Sequence, residues 1–146
     1  MNVNPLSRRT LGAAAAAFAL AAGRPALAQK PAAKNKVVMQ VSDNDPAKWN
    51  LALNNANNLQ KDLGMDDVDV EIVAYGPGIG MLKAGSAVAP RIASALQAGI
   101  QVVACQNTMA GMHLEKADML PTIGYVPAGV VELMKKQQQG WAYIRP

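Results

Sequence analysis

Cys105 is the single cysteine of this 146-residue chain, and it stands where the apolar run Ile100-Gln-Val-Val-Ala104 gives way to Gln106-Asn107-Thr108-Met109. The run reads as a buried parallel strand, and the polar residues after it as the start of a helix. Ligands of open α/β sheets bind outside the carboxyl ends of the strands, and a helix N-terminus favours a thiolate over a thiol. A thiol so placed can serve as a nucleophile, a sulfur carrier or a redox group. Free cysteine is also among the most buried residue types. Placement therefore leaves two readings open, a reactive group and a small core hydrophobe.

Three other constellations could do chemistry. Gly76-Pro77-Gly78-Ile79-Gly80 follows an apolar run and could bring backbone N–H groups to an anion. It lacks the lysine and hydroxyl of a P-loop and does not fit the dinucleotide fingerprint. A loop with positive φ angles passing close to Cys105 explains it as well; in the ligand-binding reading, Gly76 and Gly78 would share a rim with Asn107 and Thr108. Cys105, Met109, Met112 and His113 recur at helical spacing, and thiolate, thioether and imidazole ligands suit Cu(I). The same stripe is what a short helix buries, and His113 can equally be solvated. Asp43, Asp45, Glu115 and Asp118 fit caps and turns better than acid–base pairs, so the chain brings little catalytic machinery and implies no cofactor.

The elements that must position these residues alternate. Lys36–Ser42 has strand length and ends in Asp43-Asn44-Asp45-Pro46, where Asn44 or Asp45 can cap a helix with Pro46 in its first turn. That helix runs to Leu63 and stops at Gly64. Trp49, Leu53, Ala56, Leu59 and Leu63 mark its buried face, and Asn54, Asn55, Asn57, Asn58 and Gln60 its solvated side. Further strands are expected at Val68–Tyr75, Ile100–Cys105, Thr122–Val126 and Gly140–Ile144. Helices are expected over residues 89–98, around 108–114, and from Pro127-Ala128-Gly129 to Gln139. Such alternation predicts an α/β domain: a three-layer α/β/α sandwich with a mainly parallel sheet of about five strands. Right-handed crossovers place Ser42-Asp43, Tyr75-Gly76, Cys105-Gln106 and Val126-Pro127 on one rim.

The first 28 residues read as an export signal rather than part of the fold. Ser7-Arg8-Arg9-Thr10-Leu11 is a twin-arginine pattern, Leu11–Ala22 is an alanine-rich apolar run, and Ala26-Leu27-Ala28 supplies a cleavage site after Ala28. The run is too short to span a bilayer core, which needs about 20 apolar residues. The expected mature protein is periplasmic, with a flexible lead-in at 29–35, a domain at 36–146 and no membrane attachment. Of the formal charge of +4, Arg8, Arg9 and Arg24 account for three. Nearly balanced charge in the mature chain argues against nucleic-acid binding. One cysteine excludes a disulfide framework.

Val102-Val-Ala-Cys105-Gln-Asn-Thr-Met109, Ala117-Asp-Met-Leu-Pro121, Val126-Pro-Ala-Gly-Val-Val-Glu-Leu133, Gly140-Trp-Ala-Tyr-Ile-Arg-Pro146 and Ala74-Tyr-Gly-Pro-Gly-Ile79 together closely resemble the DsrE/DsrF-like family. The resemblance spans about Lys36 to Pro146. It implies an α/β/α sandwich that forms trimers or hexamers. For the sulfur-relay members it implies a cysteine that carries persulfide sulfur to a partner thiol, at the position of Cys105. The alternatives are an oligomeric binding module for a small ligand or Cu(I), and a scaffold without chemistry.

Overall fold

The computed structural model describes residues 35–146. The export signal, its cleavage after Ala28 and the lead-in up to residue 34 lie outside the described residues. Five strands form one sheet: β1 (Asn35–Val41), β2 (Val68–Ala74), β3 (Gln101–Cys105), β4 (Gly124–Val126) and β5 (Ala142–Ile144). All four pairings are parallel, in the order β4-β3-β2-β1-β5. The helices are α1 (Pro46–Leu63), α2 (Ala89–Gln97), α3 (Gln106–Gly111) and α4 (Gly129–Gln138). No helix among the described residues is long and apolar enough to cross a membrane.

Local chemistry explains the first crossover. Asp45 caps α1 by accepting the Ala47 N–H at 2.8 Å, Pro46 occupies the first turn, and Gly64 ends the helix at φ 96°. The expected buried face is shifted. Trp49, Leu53 and Ala56 are buried, but Leu63 is exposed, while Gln60 is buried and donates to Ala98 O at 2.8 Å. Leu63 lies in the last turn and lines a shallow groove with Leu59 and Ile144. Gln60, in the same turn, ties α1 to the carbonyl that ends α2.

Strand alternation sorts the two sides of the sheet. Val37, Met39 and Val41, then Val70, Ile72 and Ala74, then Val102 and Ala104 face α1 and α2 in the large core. Val38, Val73 and Val103 face the other way, against Leu133 of α4. Full burial of such a side chain contributes about 1.5–3 kcal/mol, so the α1/α2 side holds most of the stability. The α4 layer adds an ion pair: Lys136 Nζ lies 2.6 Å from Glu71 Oε2, with both side chains largely buried and the Lys136 ammonium over the Trp141 ring.

The glycine segment departs from a loop. Gly76–Leu82 is a 3-10 helix, and only Gly76 has positive φ, 52°. Gly78 is required by packing, because a Cβ there would lie 2.2 Å from Val41 O. The close approach that its glycines allow is thus to the end of β1.

The direction of chain travel changes once. From β1 to β4 each crossover passes over the α1/α2 side, and strands are added in one direction. After β4 the chain turns back, and α4 crosses the opposite side to place β5 beside β1. The connections leaving β3 and β4 therefore diverge to opposite sides at the carboxyl ends of those two strands, the position at which open α/β sheets hold their ligands.

Candidate functional site

Cys105 lies at that divergence. It ends β3, pairs with Val126 of β4, and is the N-cap of α3. Cysteine stands here where serine, threonine, aspartate or asparagine usually caps, and its sulfur accepts the Thr108 N–H at 3.4 Å. Alternation directs the side chain to the α4 side with Val103, and Gly129, the first residue of α4, packs on it. A Cβ at Gly129 would lie 3.3 Å from Cys105 Cβ and 2.9 Å from Tyr75 Cβ.

The thiol is buried, with the residue 5% exposed, so it does not stand open at the rim. Burial alone pushes the Cys105 thiol up. Hydrogen bonds from the Thr108 hydroxyl, the Gly129 and Thr108 backbone and, least, the Asn107 backbone outweigh it, so the thiol lies below its ordinary 9.0. The Asn107 N–H also donates to Pro127 O at 3.1 Å, which fastens α3 to the turn before α4. Burial and activation thus coexist here: the cover over the sulfur is made of the groups that stabilise its anion.

Thr108 connects the site to the glycine segment, since its Oγ1 accepts the Gly76 N–H at 2.9 Å. Of the rim residues expected from sequence, Gly76 and Thr108 meet at Cys105. Asn107 takes part through its backbone, and Gly78 is buried against Val41. The Cu(I) stripe divides. Met109 is buried in the α1/α2 core, on the opposite side of the sheet from the sulfur, while Met112 and His113 are exposed, His113 at φ 54°. Among the described residues no group of three or more His, Cys, Asp and Glu side chains could hold a metal ion. Asp43 pairs with Lys48 at 3.0 Å and lies 3.8 Å from Arg145. Glu115 and Asp118 cap each other's backbone.

Two residues of the site escape a reading of sequence spacing. Gly129 could be seen to open a helix, but nothing local said that this helix starts on the cysteine. Tyr75 packs, like Cys105, against Gly129, and it lines a groove of about 550 Å³ with Val130, Leu133, Met134 and Tyr143. Burial raises the Tyr75 phenol, so it stays protonated there.

A profile of the DsrE/DsrF-like family matches residues 35–146. A protein of unknown function from Methanobacterium thermoautotrophicum is similar in structure, with 31% identity and a TM-score of 0.73, over 77% of this chain and 99% of that one. A conserved protein of unknown function from Bacteroides thetaiotaomicron shares the fold at 17% identity and a TM-score of 0.59, over 77% and 95% of the two chains. No curated protein matches. With a family profile covering every described residue and a structural relative matched over almost its whole length, the chain belongs to the DsrE/DsrF-like family.

Proposed function

We propose that this protein carries sulfur as a persulfide on Cys105 and passes it to a thiol of another protein. The observation that supports this reading is the setting of one sulfur: Cys105 ends β3 and caps α3, its Sγ accepts the Thr108 N–H at 3.4 Å, the start of α4 packs on its Cβ, and the thiol lies below its ordinary range. In loading, the Cys105 thiolate attacks the outer sulfur of a donor persulfide. A new S–S bond forms at Sγ, and the donor leaves as a thiolate. The step needs an anionic sulfur and room for its partner, and no acid–base pair, which suits a site this sparse. Incubation with a small organic persulfide should add the mass of one sulfur atom, and Cys105→Ser should abolish the gain. A wild-type protein that stays at unmodified mass and resists alkylation while folded would sink the reading.

Assembly of identical copies through α4 is a second element of the proposal. Val130, Val131 and Met134 on that helix, with Tyr143 of β5, are exposed around the groove, and exposed aliphatic clusters mark interaction surfaces. Sedimentation should show an oligomer that Met134→Glu dissociates; a monomeric wild type counts against it. The twin-arginine pattern supports a periplasmic site of action, which fractionation and N-terminal sequencing for a start at Gln29 would check.

A further inference from the structure

The helix α4 rests on the sheet along one face. Gly129 packs on Cys105 and Tyr75, Leu133 on Val38, Val73 and Val103, and Lys136 on Glu71. Spacings of four and three line one side of a helix. The apolar part of this contact is small: one buried side chain of α4, Leu133, joins three valines of the sheet, against the far larger core under α1 and α2. The charged part is unbalanced. Glu71 is 2% exposed; its Oε2 accepts the Lys136 ammonium at 2.6 Å, and its Oε1 is buried without a partner. The same ammonium lies 3.7 Å from Glu132, one turn earlier on α4. Two carboxylates therefore share one ammonium, and the cluster holds an excess negative charge beside an oxygen out of reach of water. One proton on Glu71 removes that excess. The surrounding elements supply no balancing cation. Glu71 is in register with Val38 and Gln101, and the next row holds Lys36 and Asp69, of opposite sign and in register with each other. Lys135 is exposed, and Trp141 gives its ring to Lys136.

We infer that Glu71, Lys136 and Glu132 form an acid-closed latch on α4: a protonated Glu71 seats the helix over Cys105, and an ionised Glu71 releases it. The two partners of Lys136 define the two states. Closed, the ammonium reaches across to Glu71 on β2. Open, α4 lifts, Lys136 stays with Glu132 on its own helix, and water reaches Glu71. A proton shifts such an equilibrium only by binding one state better than the other. Burial raises the Glu71 carboxyl in the closed state despite Lys136, whereas in water it returns to its ordinary 4.5. The proton thus favours closure. That bias is complete below the ordinary value and is lost as pH rises through the closed-state value. A short helix held by so small an apolar contact opens as a unit. Gly129 is its first residue, so opening uncovers a cysteine that is 5% exposed when closed. The latch governs access to Cys105 whatever reagent arrives, and it stands apart from the sulfur-carrier reading. In a sulfur carrier it restrains exchange in acid and permits it as pH rises.

The test uses the full chain and Glu71→Gln, which keeps the shape and cannot ionise. Hydrogen exchange read by mass spectrometry, corrected for its intrinsic pH dependence, reports opening over Gly129–Gln138. The rate of Cys105 reaction with dithiodipyridine reports access to the sulfur, taken as wild type over Glu71→Gln at each pH so that the thiolate fraction cancels. Between about pH 5 and about pH 8, protection of α4 in wild type should fall several-fold while that of β1 and β2 holds, and the reactivity ratio should rise with it. In Glu71→Gln, α4 should keep the protection that wild type shows in acid. Wild-type protection that does not change with pH overturns the latch, as does an equal dependence in Glu71→Gln. Protection that falls while the reactivity ratio stays flat overturns the gating of Cys105. Should Glu71→Gln fail to fold, Glu132→Gln takes its place in both measurements: it removes the excess charge and should flatten the wild-type dependence, and an unaltered dependence overturns the latch.

Discussion

Gly129→Ala should loosen the start of α4 and weaken the thiolate site in one step. The added Cβ would lie 2.9 Å from Tyr75 Cβ, 3.2 Å from Tyr75 Cδ1 and 3.3 Å from Cys105 Cβ. None of these atoms is the far end of a flexible side chain. Tyr75 is held by its N–H bond to Val41 O at 3.1 Å, and Cys105 by its place in β3, so α4 must give way instead. Overpacking of this kind costs about 1–3 kcal/mol, and the usual gain from replacing glycine offsets about 0.4–1 kcal/mol of it. A net loss of about 1–2 kcal/mol should lower the urea midpoint by roughly 0.5–1 M at a slope of about 2 kcal/mol/M, the middle of the usual range. Withdrawal of the Gly129 N–H should also raise the midpoint of Cys105 alkylation. Gly111→Ala is the control, because a Cβ there meets nothing within 4 Å. If Gly129→Ala matches wild type in both midpoints, the packing of α4 on the cysteine does not contribute to stability or to the thiolate.

Lys136→Met should destabilise by about 3–5 kcal/mol at neutral pH, because it strands the buried Glu71 carboxylate, whose other oxygen already lacks a partner. Burial raises the Glu71 carboxyl despite Lys136, so the deficit should shrink in urea melts as pH falls through that raised value and the carboxyl protonates; a deficit independent of pH would refute this. The Cys105 thiol is lowered in the folded state, so its contribution is present above the unfolded value near 9.0 and is lost as pH falls through the folded value. Relative to Cys105→Ser, wild type should therefore gain stability as pH rises from the folded value to the unfolded value near 9.0, and level off above it. Gln60→Leu should cost about 1–3 kcal/mol in thermal or urea melts, since it removes the donor to Ala98 O at 2.8 Å.

The α/β alternation and the parallel sheet were legible because their signals are local: apolar runs of strand length, Asp45-Pro46 at a helix start, Gly64 and Gly99 at helix ends. Residues at the margins of packing were not. Leu63 fits the helical stripe and Gln60 does not, yet Gln60 is buried and Leu63 exposed. Gln60 is buried because it reaches the Ala98 carbonyl at the end of α2, a partner that no spacing within α1 encodes. The 3-10 helix at Gly76–Leu82 was hidden for the same reason, because its glycines answer to Val41 and Asn44 across space.

The site divides along the same line. Cys105 and Thr108 stand three residues apart, one of the two spacings at which a helix-cap side chain accepts a backbone N–H, so the α3 half of the sulfur's surroundings can be read from the chain. The other half comes from Gly129, 24 positions later by its number, and from Gly76 on a different strand's turn. Gly129 reaches Cys105 because the chain reverses after β4 and sends α4 across the opposite side of the sheet from α3, and Gly76 reaches Thr108 because β2 lies beside β3. At the end of β3 the thiol meets two helix starts, and that topology lets so small a set of side chains bury a sulfur and still favour its anion.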